Sequence, residues 1–179
     1  MIIYLVRHAS AGESLSSPKK DEKRPLDADG IEQCGVVGRA LAALNVQPEV
    51  IISSPLKRAT QTASLIGNEL GYEGKLQLDA AMRPEASFAD FRRMLEKYAK
   101  QEAIMVVGHN PSITEFLARI ITKSGSEALI EFKKGGAARV ETVRHAARLN
   151  WFLTPKMARA IQAAAATAAE RSQPRTARK

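Results

Sequence analysis

Three short runs of uninterrupted apolar residues, Ile2 to Val6, Val50 to Ile52 and Ala103 to Val107, are separated by segments of helical periodicity. A strand without polar alternation is covered on both faces, and a parallel sheet flanked by helices provides that cover. The stripes between the runs supply the helices. Ile31, Cys34, Val37, Leu41 and Leu44 mark one beginning near Asp29; Ala59, Ala63, Ile66 and Leu70 mark a second. Phe88, Phe91, Met94, Leu95 and Tyr98 mark a third, and Ile113, Phe116, Leu117 and Ile120 a fourth. Leu129 to Phe132, Ala138 to Val143 and Leu149 to Leu153 read as late strands, with Gly135 and Gly136 turning the chain between the first two. The polar segment from Ala11 to Pro25 reads as a mobile loop. The predicted fold is an α/β three-layer α/β/α sandwich with a mostly parallel central sheet.

Residues 1–155 form the predicted domain, and 156–179 an Ala-rich basic C-terminal helix with a disordered end. The chain of 179 residues carries a formal charge of +8. Of this, +5 lies from Lys156 onward, so the basicity belongs largely to the tail. That tail has no interleaved aromatics, and it reads as solvated rather than as a nucleic-acid module. No apolar run is long enough to span a membrane. The N-terminus lacks the pattern of a signal peptide, so a cytoplasmic location is expected. The single cysteine, Cys34, rules out an internal disulfide and a Cys-based zinc cluster, and its place on a helical stripe makes it a core residue. No P-loop, dinucleotide fingerprint or metal-ligand spacing is present, and no cofactor is expected.

Two junctions share one design. At Ile51-Ile52-Ser53-Ser54-Pro55 and Val106-Val107-Gly108-His109-Asn110-Pro111, an apolar strand runs into a capping residue and then Pro at the first expected helical position. Each places a helix N-terminus at the carboxyl edge of the sheet, where open α/β sheets bind ligands and anions find unpaired N–H groups. The first strand brings Arg7 and His8 to this edge, Arg58 follows the second, and His109 ends the third apolar run. Guanidinium forks match phosphate oxygens, and histidine serves as nucleophile, acid or base. Two arginines repel a cation, which argues against a metal on the histidine pair. A phosphate site is the inference. Glu115, one turn past His109, suits the helix dipole or could orient His109, and His145 reads as a surface or turn residue.

The segments Leu5-Val6-Arg7-His8-Ala9, Ser53 to Thr62 and Val107 to Pro111 resemble, in order and spacing, the histidine phosphatase (phosphoglycerate-mutase-like) superfamily. The short length and the segment from Arg24-Pro25-Leu26 to Asp29-Gly30 resemble its SixA-type phosphohistidine phosphatase branch. The resemblance implies that His8 attacks phosphorus and carries the phosphoryl group, while Arg7, Arg58 and His109 hold its oxygens. Ala9 stands where many members have Gly. No match to the acidic motif of the mutases or the His-Asp motif of acid phosphatases is present, and Glu85 is the candidate general acid. Arg24 is a candidate for leaning over the phosphate or for recruiting an acidic phosphoprotein. An alkoxide leaving group needs protonation near a pKa of about 15.7, an imidazole only near about 6.5. A site without a strong acid therefore suits phosphohistidine on phosphorelay or phosphocarrier proteins. Small phosphomonoesters, phosphoserine or phosphothreonine peptides, and phosphate binding without turnover are the alternatives.

Overall fold

The computed structural model describes residues 1–122, 128–143 and 146–172. His145 and the terminal residues 173–179 lie outside them. Six strands form one sheet: β1 (Ile2–Arg7), β2 (Val50–Ser53), β3 (Gln77–Leu78), β4 (Ala103–Gly108), β5 (Ala137–Val143) and β6 (Ala146–Leu153), in the order β3-β2-β4-β1-β5-β6. β3, β2, β4 and β1 are parallel; β5 runs antiparallel to β1 and to β6. The helices are α1 (Pro18–Glu22), α2 (Ala28–Ala43), α3 (Lys57–Glu69), α4 (Phe88–Lys97), α5 (Ser112–Ile121) and α6 (Pro155–Ser172).

Strand alternation sorts the core into two layers. Tyr4, Val6, Ile51, Met105 and Val107 pack with Cys34, Val37 and Leu41 of α2, with Ala59, Ala63 and Ile66 of α3, and with Ala158 of α6. Ile3, Leu5, Ile52, Ile104 and Val106 face Phe91 and Met94 of α4 and Ile113, Phe116 and Leu117 of α5. Phe91 stacks on Phe116 with ring centroids 4.5 Å apart. The expected three-layer sandwich is therefore present. Among the described residues no helix is long and apolar enough to cross a membrane.

Several expectations need correction. Leu129 to Phe132 is not a strand: the Phe132 carbonyl accepts from the guanidinium of Arg7 at 2.6 Å instead of joining a ladder, and Leu129 is exposed. Ile31 and Leu44 are about half exposed, because the buried face of α2 runs instead through Gly30, Cys34, Val37, Gly38 and Leu41. The helix itself starts at Ala28, next to the expected Asp29, and is capped by the Asp27 side chain, which accepts from the Gly30 amide. Neither proline opens a helix: α3 begins at Lys57 and α5 at Ser112, with Pro111 in the capping position after a cis bond. Ser54, the expected cap, hydrogen-bonds His109 instead. The polar segment from Ala11 to Pro25 contains α1 and is tied to the site. The start of α6 is packed rather than solvated, since Ala158 is buried, Gln162 donates to the Val36 carbonyl and Arg159 pairs with Glu32.

Candidate active site

The parallel strands β1, β2 and β4 end together, and their carboxyl ends bring His8, Ser54 and His109 to one edge. The His8 amide donates to the Gly108 carbonyl and the Ser54 amide to the Val107 carbonyl, so these termini are held in register. His8 and His109 are buried with ring centroids 4.8 Å apart. Thr62 joins the loop after His8 to α3: its hydroxyl accepts from the Ala9 amide and donates to the Arg58 carbonyl.

Hydrogen bonding selects the tautomer of His8. Nδ1 of His8 lies 2.7 Å from the Ala9 carbonyl, which can only accept, so Nδ1 carries the proton and Nε2 of the neutral ring a free lone pair. Burial first, then the charges of Arg58, Arg7 and Lys134, push the His8 pKa down to about 3. The ring is neutral near pH 7. Nε2 of His109 hydrogen-bonds the Ser54 hydroxyl at 2.8 Å, and that hydroxyl also accepts from the Leu56 amide. Nδ1 of His109 is left without a partner. Burial, followed by the charges of His8, Arg58, Arg83 and Arg7, pushes its pKa to about 2.

Among the described residues, the buried side-chain polar atoms without a partner are Nε of Arg7, Nε of Arg58 and Nδ1 of His109. Buried polar groups are normally paired, and here the unpaired ones belong to three of the four residues expected around the phosphate. Arg58 is steadied from α1, donating through Nη1 to the Asp21 carbonyl at 3.0 Å and to its carboxylate at 3.2 Å. The Arg24 guanidinium, the Leu15 amide and Arg58 hold the Asp21 carboxyl down at about 2.

Two sequence expectations change here. Arg24 does not lean over the site; its guanidinium donates to Asp21 at 2.7 Å and to the Ala11 carbonyl at 2.5 Å, fastening the loop. Glu85 is exposed and accepts from Arg83 at 2.6 Å, and that guanidinium holds its carboxyl below the usual range. An ionised carboxylate of this kind is poorly suited to donate a proton. Glu115 pairs with Arg119 rather than with His109. Cys34 is buried and its thiol pushed up to about 12, so it is no nucleophile. Sequence reasoning missed Asp21, Arg83 and Lys134, whose place depends on loop packing. It gave Ser54 only the role of a helix cap and quoted Thr62 without a role, although both lie within the second motif. Among the described residues no three His, Cys, Asp or Glu side chains gather as a metal cluster.

An open α/β sheet whose strand ends gather a buried neutral histidine, the buried Arg58, the half-buried Arg7 and a second buried histidine presents cationic and hydrogen-bonding groups suited to an oxyanion. The family model described as the histidine phosphatase superfamily (branch 1) matches residues 3–94, and the chain belongs to that superfamily of phosphatases. An uncharacterised protein of Picosynechococcus is 31% identical over 150 residues, covering 79% of this chain and 89% of that protein. The mitochondrial serine/threonine-protein phosphatase Pgam5 of Drosophila pseudoobscura is 30% identical over 148 residues, covering 66% of this chain; the match spans 50% of its length. The fold is shared with the protein histidine phosphatase SixA complexed with tungstate, at a TM-score of 0.77 and 21% identity, covering 87% of this chain and 98% of SixA.

Proposed function

We propose that this chain removes phosphate from phosphohistidine on proteins, through a phosphohistidine intermediate at His8 and without a metal or cofactor. The observation that carries this reading is the unprotonated Nε2 of a buried His8 beside the unpaired Nε of Arg7, Nε of Arg58 and Nδ1 of His109. Nε2 attacks phosphorus while the P–N bond of a substrate phosphohistidine protonated on its other ring nitrogen breaks, the bond's electron pair stays on the substrate nitrogen, and the substrate departs as a neutral imidazole. The bond from Nδ1–H to the Ala9 carbonyl stabilises the positive charge that develops on His8, and Arg7, Arg58 and His109 hold the phosphoryl oxygens. Water then attacks phosphorus, the P–Nε2 bond breaks, and inorganic phosphate leaves. Tungstate, bound by the SixA structure of the same fold, is likewise a tetrahedral oxyanion.

The substrate class follows from the proton donor. Glu85 is held ionised, which favours a leaving group that departs without strong acid assistance. Phosphohistidine on a cytoplasmic phosphorelay or phosphocarrier protein meets that requirement. The identity to Pgam5 favours a second reading, phosphoserine or phosphothreonine peptides.

Wild type and His8→Ala are incubated in EDTA with a phosphohistidine protein, a phosphoserine peptide and an aryl phosphate, and phosphate release is followed. Preferential turnover of phosphohistidine, lost in His8→Ala, with an acid-labile phosphoryl label on the quenched wild type, is expected. Faster turnover of phosphoserine would install the second reading. Absence of turnover on all three would reduce the site to phosphate binding.

A further inference from the structure

The charge around the phosphoryl site is lopsided. On the Arg58 side, carboxylates from α1 and the segment after β3 neutralise the guanidiniums: Asp21 pairs with Arg58 and Arg24, and Glu22 and Glu85 pair with Arg83. On the Arg7 side the balance reverses. A cavity of about 450 Å³ is lined by Arg7, Gln33, Lys133, Lys134, Pro155 and Lys156. All three lysines are exposed. Lys133 pairs with Glu131, but among the described residues neither Lys134 nor Lys156 has a carboxylate partner. Lys134 feels the charge of Asp27, whose oxygens already accept from Ser10, Gly12 and Gly30.

This cationic rim is attached to the nucleophile's own backbone. The Gly135 amide donates to the carbonyls of Arg7 and His8 at 3.2 and 3.1 Å, and the Gly136 carbonyl accepts from the Arg7 amide at 3.1 Å. The Gly135 backbone, at φ +70°, adopts a conformation that favours glycine. The Phe132 carbonyl in turn accepts from the Arg7 guanidinium. The two lysines of this turn are thus carried at a fixed position beside the phosphoryl site, and Lys156 joins them from the start of α6. A body seated on Pro155 and the lysine stems would meet ammonium groups at the rim while its phosphoryl group faced His8.

We infer that this groove is a docking subsite for carboxylates flanking the phosphorylated residue, so that the chain selects phosphoproteins with acidic sequence around the phosphoryl group. The inference rests on the proposed protein-phosphatase reading and names the substrate feature that reading leaves open. Each exposed ion pair contributes a factor of roughly two to five, so engaging the lysines gives a preference of about tenfold at low salt.

The test uses two phosphohistidine peptides of one sequence, with the four residues flanking the histidine either all Glu or all Gln. The readout is the ratio of their kcat/KM values for wild type and for the double variant Lys133→Glu/Lys156→Glu, whose folding is checked by circular dichroism. A ratio of about ten in wild type, collapsing toward one in the variant and at about 0.5 M salt, is expected. A wild-type ratio near one, or a ratio that survives the double substitution, overturns the subsite. If neither peptide is turned over, the phosphohistidine reading has failed, and the same sequences bearing phosphoserine test the groove by the same ratio. Absence of turnover on all four peptides overturns both.

Discussion

Gly30 and Gly35 lie five residues apart on α2, and replacing each by Ala separates packing from helix propensity. A Cβ on Gly30 would sit 2.0 Å from the Ser10 carbonyl oxygen, whereas one on Gly35 would first meet the end of the Arg39 side chain at 3.2 Å. Contacts of this kind do not fall below 3.0 Å, so in Gly30→Ala the helix and the Ser10 loop must separate by about 1 Å. That loop has little freedom. The Ser10 amide donates to Gln33, its hydroxyl donates to Asp27, and its carbonyl accepts from the Asp27 amide. Overpacking costs about 1–3 kcal/mol, against which an interior Gly→Ala gains at most about 1 kcal/mol of propensity. Gly30→Ala is therefore expected to lose about 2 kcal/mol, a fall of roughly 1 M in urea midpoint at an ordinary slope. Because Ser10 stands two residues from His8, displacement near 1 Å also predicts a loss of about 10- to 100-fold in kcat on an aryl phosphate. Gly35→Ala should be neutral or more stable, with wild-type kcat. Equal midpoints and equal kcat for the two variants would refute the close approach of α2 as the device that positions the loop after His8.

Thr62→Val leaves the Ala9 amide and the Arg58 carbonyl without their shared partner and should cost about 1–3 kcal/mol in thermal unfolding, while Thr62→Ser retains most of it. Glu85→Gln should change turnover by less than about threefold, as for an exposed ion pair; a loss of about 100-fold would restore Glu85 as general acid. His8 and His109 stay neutral in the folded chain down to about 3 and about 2, whereas the unfolded chain protonates them below about 6.5. Their stabilisation is full above that value and is lost as pH falls toward 3, by at most about 1.4 kcal/mol per pH unit for each. Denaturation midpoints measured from pH 7 to 4 should thus fall less steeply in His109→Gln than in wild type.

The parts of this protein that could be read from its sequence are those written in local periodicity and in short, ordered motifs. Ile2 to Val6, Val50 to Ile52 and Ala103 to Val107 declare buried strands because a fully covered strand leaves no room for polar alternation. Parallel strands that end at one edge then bring Arg7, His8, Arg58 and His109 together, and topology alone takes that reading far. Where a carbonyl or hydroxyl finds a partner distant in sequence, local pattern misleads. Leu129 to Phe132 has a strand's composition, yet Arg7 takes the Phe132 carbonyl from 125 residues away. Ser54 has a cap's chemistry, yet His109 holds its hydroxyl across 55 residues. Glu85 illustrates the same limit in electrostatics, since a carboxyl donates a proton only if its surroundings keep it neutral, and here Arg83 does the opposite. Residue identity and spacing determined which chemical groups reach the sheet edge. Their protonation, their partners and the uneven charge around them were decided by tertiary packing, because burial and long-range contacts have no local signature in the chain.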